Sequence, residues 1–156
     1  MKLFVFDIDD TLIIHTPHGT DYYRNRGDTN LQSLIRGSVS DVNYIYTNGT
    51  YGHAENVLQA LNLEKDIQKS YARDTIPHMK PHPGSFKYVH NDIRNSLPRG
   101  SHQIFFFDDN LDNLWAAKFF GWNTIWITPS SQETHDFVDA TYPNIFEALL
   151  RFQKKI

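Results

Sequence analysis

Apolar residues along this chain fall into short runs, each closed by polar or turn-forming residues. Leu3 to Phe6, rich in aromatic and branched side chains, reads as a buried strand of a parallel sheet. Tyr44-Ile45-Tyr46, Ile104 to Phe107 and Thr124 to Thr128 repeat the pattern, and Ser70-Tyr71-Ala72 is a weaker fifth strand. Between these runs the apolar spacing becomes helical. His53 to Leu63 puts Ala54, Val57, Leu58 and Leu61 on one face. Ser85 to Ile93 and Leu111 to Phe120 read as helices, the second with Gly121 at its C-terminal side. Pro143 to Phe152 reads as a closing helix whose apolar face is Ile145, Leu149 and Phe152. A further helix through Leu31, Leu34 and Ile35 is expected to be capped by Asp28 or Thr29 and ended by Gly37.

Strands alternating with helices predict a three-layer, doubly wound, Rossmann-like α/β domain with a mainly parallel five-stranded sheet. His15 to Thr20 is turn-rich and suits a hairpin or flap, whereas Asp21 to Arg26 has no clear period. Thr75 to Pro83 is a loop holding three of the seven prolines, and Arg99-Gly100 turns the chain. No internal repeat, low-complexity run or linker divides the sequence, so residues 1–156 are expected to form one domain.

Composition narrows this picture modestly. The chain is 40% hydrophobic with 11 Phe, 8 Tyr and 3 Trp, enough for a well-buried core and against disorder. A net charge of −3 points to neither nucleic acid nor membrane. With no cysteine, disulfides and thiolate metal sites are excluded. The start, Met1-Lys2-Leu3, does not read as a signal peptide, because Asp7 interrupts the apolar run early, and no stretch approaches membrane-spanning length. A cytoplasmic protein without membrane partners is the resulting expectation.

The candidate chemistry lies where the strands stop. Leu3 to Phe6 runs into Asp7, Asp9 and Asp10 with Thr11 behind them, and Ile104 to Phe107 runs into Asp108-Asp109. Isolated carboxylates cost several kcal/mol or more inside a core, so these acids belong just past the strands' carboxyl ends, where open α/β sheets bind ligands. Asp7, Asp9 and Thr11 alternate, so an extended chain would turn all three the same way. Acids gathered at one edge repel one another unless a cation joins them, and a hard divalent ion such as Mg²⁺ is the natural candidate. Thr47-Asn48 closes another strand, and Lys80 in the proline-rich loop could reach the same edge.

In these residues the chain resembles the haloacid dehalogenase (HAD)-like hydrolase superfamily. Asp7-Ile8-Asp9-Asp10-Thr11 matches the family's D-x-D-x-T motif, and Tyr44-Ile45-Tyr46-Thr47-Asn48 matches its apolar strand ending in Thr or Ser. Lys80-Pro81 matches the lysine motif, and Asp108-Asp109 with Asn113 matches the acidic pair. Within the superfamily the nearer likeness is to the pyrimidine 5′-nucleotidase-like branch. It rests on Asn48-Gly49-Thr50-Tyr51-Gly52-His53-Ala54, on Lys80-Pro81-His82-Pro83 with Phe86, and on Asp108-Asp109-Asn110. Those relatives carry a helical cap between the first two motifs. Here only Leu12 to Tyr46 lies between them, so the cap is expected to be missing or vestigial, with residues 12–30 as its remnant or flap.

The resemblance implies roles. Asp7 is expected to be a nucleophile that forms an aspartyl-phosphate, and Asp9 a general acid and base. An acid at Asp9 is what the family's phosphatases have and its dehalogenases lack. Mg²⁺ is expected on Asp7 and Asp109, on the backbone carbonyl of Asp9, with Asp108 close by. Thr47, the amide of Asn48 and Lys80 are expected to hold phosphate oxygens, with Thr11 in support and Asn113 orienting Asp109 or Lys80. A small phosphate ester, a nucleotide among them, is the leading substrate. The rival readings are a phosphatase for macromolecular ends (a nucleic-acid 3′-phosphate or a phosphoprotein) and a non-catalytic scaffold on the same fold. The pairs His15/His18 and His78/His82 have spacings open to zinc but read better as solvated loop residues. His53 opens a helix beside the site, in reach of substrate. Trp115, Trp122 and Trp126 are expected in the core, and Arg24, Arg26 and Arg36 with Tyr22 and Tyr23 form a basic-aromatic mix near the flap.

Overall fold

A computed structural model of the chain describes residues 1–21, 30–129 and 132–155. In chain order its elements begin with β1 (Lys2–Phe6), the hairpin β2 (Ile14–Thr16) and β3 (Gly19–Asp21), α1 (Leu31–Arg36) and β4 (Val42–Tyr46). Then come α2 (Tyr51–Leu61), β5 (Lys69–Tyr71), α3 (Pro83–Asn95), β6 (Gln103–Asp108) and α4 (Leu111–Lys118), and finally β7 (Asn123–Ile127), β8 (Ala140–Tyr142) and α5 (Ile145–Leu150). The main sheet has the order β5-β4-β1-β6-β7-β8, and every neighbouring pair in it is parallel. It has six strands where the sequence predicts five. The additional strand, Ala140-Thr141-Tyr142, is short and carries no apolar run, so it gives no pattern to read.

Alternation along the strands divides the core in two. Phe4, Phe6, Ile45, Phe107 and Ile125 face α1, α2 and α5, packing on Leu34, Val57, Leu58, Ile145 and Leu149. Leu3, Val5, Tyr44, Tyr46 and Phe106 face the other way, onto Phe86, Val89 and Ile93 of α3 and Leu114 and Ala117 of α4. The result is the three-layer α/β arrangement expected from the sequence. Helix boundaries moved slightly: α2 starts at Tyr51 because the Thr50 side chain caps it, accepting from the His53 amide. Helix α1 is capped by Asn30. The proposed caps Asp28 and Thr29 lie outside the described residues, as do Tyr22, Tyr23, Arg24 and Arg26. Trp122 and Trp126 are buried, but Trp115 is 54% exposed and rests edge-on against Phe119, so it does not belong to the core.

The site is set by where the chain reverses. From β1 the order steps outward through β4 and β5, then returns to β1's other side as β6. The carboxyl ends of β1 and β6 therefore meet at the switch point where open α/β sheets bind ligands. Between Thr11 and Thr47 the described residues form only the hairpin, α1 and β4, with no helical cap among them. Among the described residues no helix is long and apolar enough to cross a membrane.

Candidate active site

The Asp7 amide donates to the Phe107 carbonyl at 3.0 Å, so Asp7 continues the β1–β6 ladder by one residue. Beyond it the chain does not stay extended. Asp10 takes a left-handed conformation (φ 61), and the amides of Thr11, Leu12 and Ile13 all converge on the Ile8 carbonyl. The alternation argument thus fails for Thr11. A tight turn, rather than strand geometry, brings its hydroxyl back to donate to Asp7 Oδ2 at 3.2 Å, and it lies 3.5 Å from Asp109 Oδ1.

Lys80 is the centre of the buried part. Its side chain is 1% exposed, and its Nζ donates to Asp7 Oδ1 at 3.1 Å, Asp108 Oδ2 at 2.9 Å and the Tyr46 carbonyl at 2.8 Å. The ammonium also sits over the ring of Tyr46, 4.9 Å from its centroid. Asn48 fixes the loop that delivers it: Asn48 Nδ2 donates to the Lys80 carbonyl, and the Lys80 amide donates back to Asn48 Oδ1. Asn48 therefore positions Lys80 through its side chain, a role absent from the sequence expectation. Thr47 follows β4 directly, its hydroxyl accepting from the Gly49 amide at 3.0 Å.

Asp108 is fully buried with both oxygens engaged, Oδ2 by Lys80 and by Asn113 Nδ2 at 3.1 Å, Oδ1 by the Asn110 amide at 2.8 Å. Asn113 thus orients Asp108, not Asp109 or Lys80, because capping of α4 by Asn110 turns it toward the strand end. Asp109 is held through its backbone carbonyl, which accepts from Trp126 Nε1 at 2.9 Å.

Carboxylate oxygens of Asp7, Asp108 and Asp109 lie within 4.8 Å of one another. Burial pushes the Asp7 carboxyl well up, reinforced by Asp108 and opposed by Lys80. Asp109 is pushed up to about 6, again mainly by burial. For Lys80 burial works against the charged form, but Asp108 and Asp7 overcome it and hold the ammonium above its ordinary value. With all three carboxyls ionised, one ammonium would leave two negative charges uncompensated. An all-oxygen donor set with that charge is compatible with Mg²⁺.

Asp9 belongs to a different environment. Its side chain is 38% exposed, and its Oδ1 meets His15 Nε2 at 2.7 Å and His53 Nε2 at 3.1 Å. Burial raises the Asp9 carboxyl, but hydrogen bonds from the two imidazoles outweigh it and bring the group below its ordinary value. His53 was expected near the site. His15 was read only as a solvated loop residue, and no spacing in the sequence reveals its contact. His78 and His82 stack on each other, rings 4.0 Å apart, and among the described residues the one group of acids and histidines fit to hold a metal is the aspartate cluster.

No protein-family model matches the sequence, and no curated protein is significantly similar to it. Solved structures do match in fold. YfnB from Bacillus subtilis, described as a candidate HAD-hydrolase and solved with magnesium, superposes with a TM-score of 0.63 at 18% identity over 77% of this chain and 53% of its own. L-2-haloacid dehalogenase from Xanthobacter autotrophicus, with chloropropionic acid covalently bound, gives 0.60 at 15% identity over 76% and 57%. A Thermotoga maritima protein described as a candidate beta-phosphoglucomutase gives 0.63 at 17% identity over 97% and 99%. The chain spans between 53% and 60% of the length of the first such structures. The fold is the HAD-like hydrolase fold, and at these identities the likeness speaks to fold alone.

Proposed function

We propose that this chain is a Mg²⁺-dependent phosphomonoester hydrolase, acting as a single domain. The observation that supports it most is Lys80, whose ammonium bridges Asp7 and Asp108 beside Asp109 at the ends of β1 and β6. An attacking carboxylate, a fixed cation and an acidic cluster that a divalent metal would compensate suit an anionic phosphate better than a neutral carbon centre. Asp9 two residues on, absent in the dehalogenase pattern, favours phosphate chemistry over halide displacement.

In this reading Asp7 attacks phosphorus, the bond to the ester oxygen breaks, and Asp9 gives that oxygen a proton. Water then attacks the aspartyl-phosphate, Asp9 takes its proton, and the bond between phosphorus and Asp7 breaks to release inorganic phosphate. Lys80, Thr47 and the Asn48 amide hold the phosphoryl oxygens. Asp7 and Asp109, with the Asp9 carbonyl and Asp108 nearby, would hold the metal, which when bound supplies charge compensation for anionic nucleophile and anionic substrate.

Small phosphate esters, nucleotides included, are the leading substrates. The absence of a helical cap among the described residues favours a second reading, hydrolysis at macromolecular ends, which an open edge admits. The test is a panel of mononucleotides, sugar phosphates, 3′-phosphorylated oligonucleotides and phosphopeptides, with and without Mg²⁺. Metal-dependent phosphate release from at least one class is expected, and Asp7→Asn should abolish it while the circular dichroism spectrum is kept. Release that persists in Asp7→Asn, or that ignores Mg²⁺, overturns the reading.

A further inference from the structure

Asp9 stands at the mouth of the site, where an exposed carboxylate on a turn would ordinarily sample several rotamers. It is instead gripped from two directions by elements far apart in the chain. His15 comes from β2 of the hairpin, and His53 from the first turn of α2. Both imidazoles take the same oxygen, Oδ1. Among the described residues no hydrogen bond reaches Oδ2.

Each ring is itself fixed. The His15 amide donates to Asp10 Oδ1 at 3.1 Å, and its Nδ1 faces the Thr20 hydroxyl at 3.4 Å across the hairpin. The His53 amide donates to Thr50, the cap of α2. The His53 ring also packs so closely on Gly49 that a Cβ there would lie 3.0 Å from its Cδ2, and 3.3 Å from Thr47 Oγ1. That close approach links the ring to the Thr47-Asn48-Gly49 turn proposed to hold phosphate.

We propose that His15 and His53 are positioning residues, which hold Asp9 by one carboxylate oxygen and so aim the other at the leaving-group oxygen of the substrate. The inference rests on the phosphomonoesterase reading and extends it to the hairpin. The β2–β3 hairpin becomes part of the acid–base apparatus through His15, not a passive flap. Neither histidine touches the phosphoryl group; both act through Asp9.

The leaving group supplies the test. An alkyl phosphate departs as a strongly basic alkoxide and needs a proton from Asp9, whereas p-nitrophenolate departs unaided. Kinetics with Mg²⁺ on an alkyl phosphate and on p-nitrophenyl phosphate should be compared for the parent, His15→Ala, His53→Ala and Asp9→Asn. Each alanine variant is expected to lose about tenfold or more in kcat/KM on the alkyl ester and to stay within about threefold of the parent in kcat/KM on the aryl ester. The reason is that kcat/KM reports the steps up to loss of the leaving group, whereas kcat also contains the hydrolysis of the aspartyl-phosphate that needs Asp9 for both esters. His15→Gln and His53→Gln, which keep an N–H donor, should recover part of the loss. Adding His15→Ala to Asp9→Asn should cost nothing further, because a residue acting through Asp9 has nothing left to position. Equal losses of kcat/KM on both esters, or additive losses with Asp9→Asn, overturn the positioning role while leaving the phosphatase reading intact. A parent inert on both esters and across the wider panel overturns that reading and this inference together.

Discussion

The buried and exposed halves of the candidate site obey different physics. At the ends of β1 and β6, Asp7, Lys80 and Asp108 are shut away from water, and every charge must be answered by a partner within a few ångströms. At the rim, Asp9, His15 and His53 make contacts of similar length, yet water screens each of them. Similar distances therefore carry different weights. Inside, a contact holds the fold and tunes the carboxyls; outside, it chooses among rotamers that water would tolerate and draws Asp9 and His15 toward their charged forms.

The largest expected effect lies at Lys80. Replacing it by Met keeps much of the volume and removes the ammonium, leaving Asp7 and Asp108 buried without their cation. Breaking a buried pair from one side costs about 3–5 kcal/mol, and losing a donor aimed at developing charge costs about a hundredfold in turnover. Chemical unfolding of Lys80→Met beside the parent checks the first figure, and steady-state rates the second. An unchanged unfolding midpoint would mean that the cluster tolerates its own repulsion, and the contrast with the rim would collapse.

This same division governs what is legible in the sequence. Asp7, Lys80 and Asp108 were legible because burial forces the pattern: apolar runs that stop at acids, and a lysine to answer them. Both layers of the core followed from alternation along β1, β4 and β6. What failed to show was whatever depends on local turns or on water. The left-handed Asp10 replaced the expected extended chain, and the cap at Asn110 sent Asn113 to Asp108. Strand β8 is held by backbone bonds to β7 rather than by an apolar run. Trp115 looked like core because it is large and apolar, although its helix turns it outward. His15 gave no signal, since a rim histidine needs no particular spacing to reach an exposed carboxylate.

Metal binding sharpens the comparison next. The folded value of Asp109 is raised from 3.8 to about 6, and Asp7 is raised as well. Between those values the metal-free folded state keeps protons that the unfolded chain has released. Its stability from this source is present below the unfolded value and is lost as pH rises toward 6. Mg²⁺ reverses the sign, because it binds the ionised carboxylates and competes with the protons. At a hundredfold excess over Kd it should stabilise by about 2.7 kcal/mol, as a melting shift at pH 7.5 that shrinks markedly at pH 5. His15→Gln, which touches only the rim, should leave that shift intact. Equal shifts at both pH values would place the metal on other ligands.

The smallest effect belongs to the rim, and its sign follows from the two groups together. Hydrogen bonding to Asp9 raises the His15 imidazole above its ordinary 6.5, while the imidazoles hold Asp9 below its ordinary 3.8. The raised histidine contributes stability that is complete below the unfolded histidine value and is lost as pH climbs through the folded one. The lowered carboxyl contributes stability that is complete above the unfolded carboxyl value and is lost as pH falls through the folded one. Both contributions are whole only between those limits, roughly pH 4–6 on ordinary values, and with His15 about half-exposed they remain small. Melting curves of the parent and His15→Gln should therefore differ slightly near pH 5.5 and converge by about pH 9, where the imidazole is neutral in both states. Added salt should shrink the difference at pH 5.5 and leave the loss at Lys80→Met almost unchanged, because ions reach the rim and not the cluster. A salt response of equal size at the two sites would show that Lys80 is no better shielded than His15, and the separation into an inner and an outer half would have no physical basis.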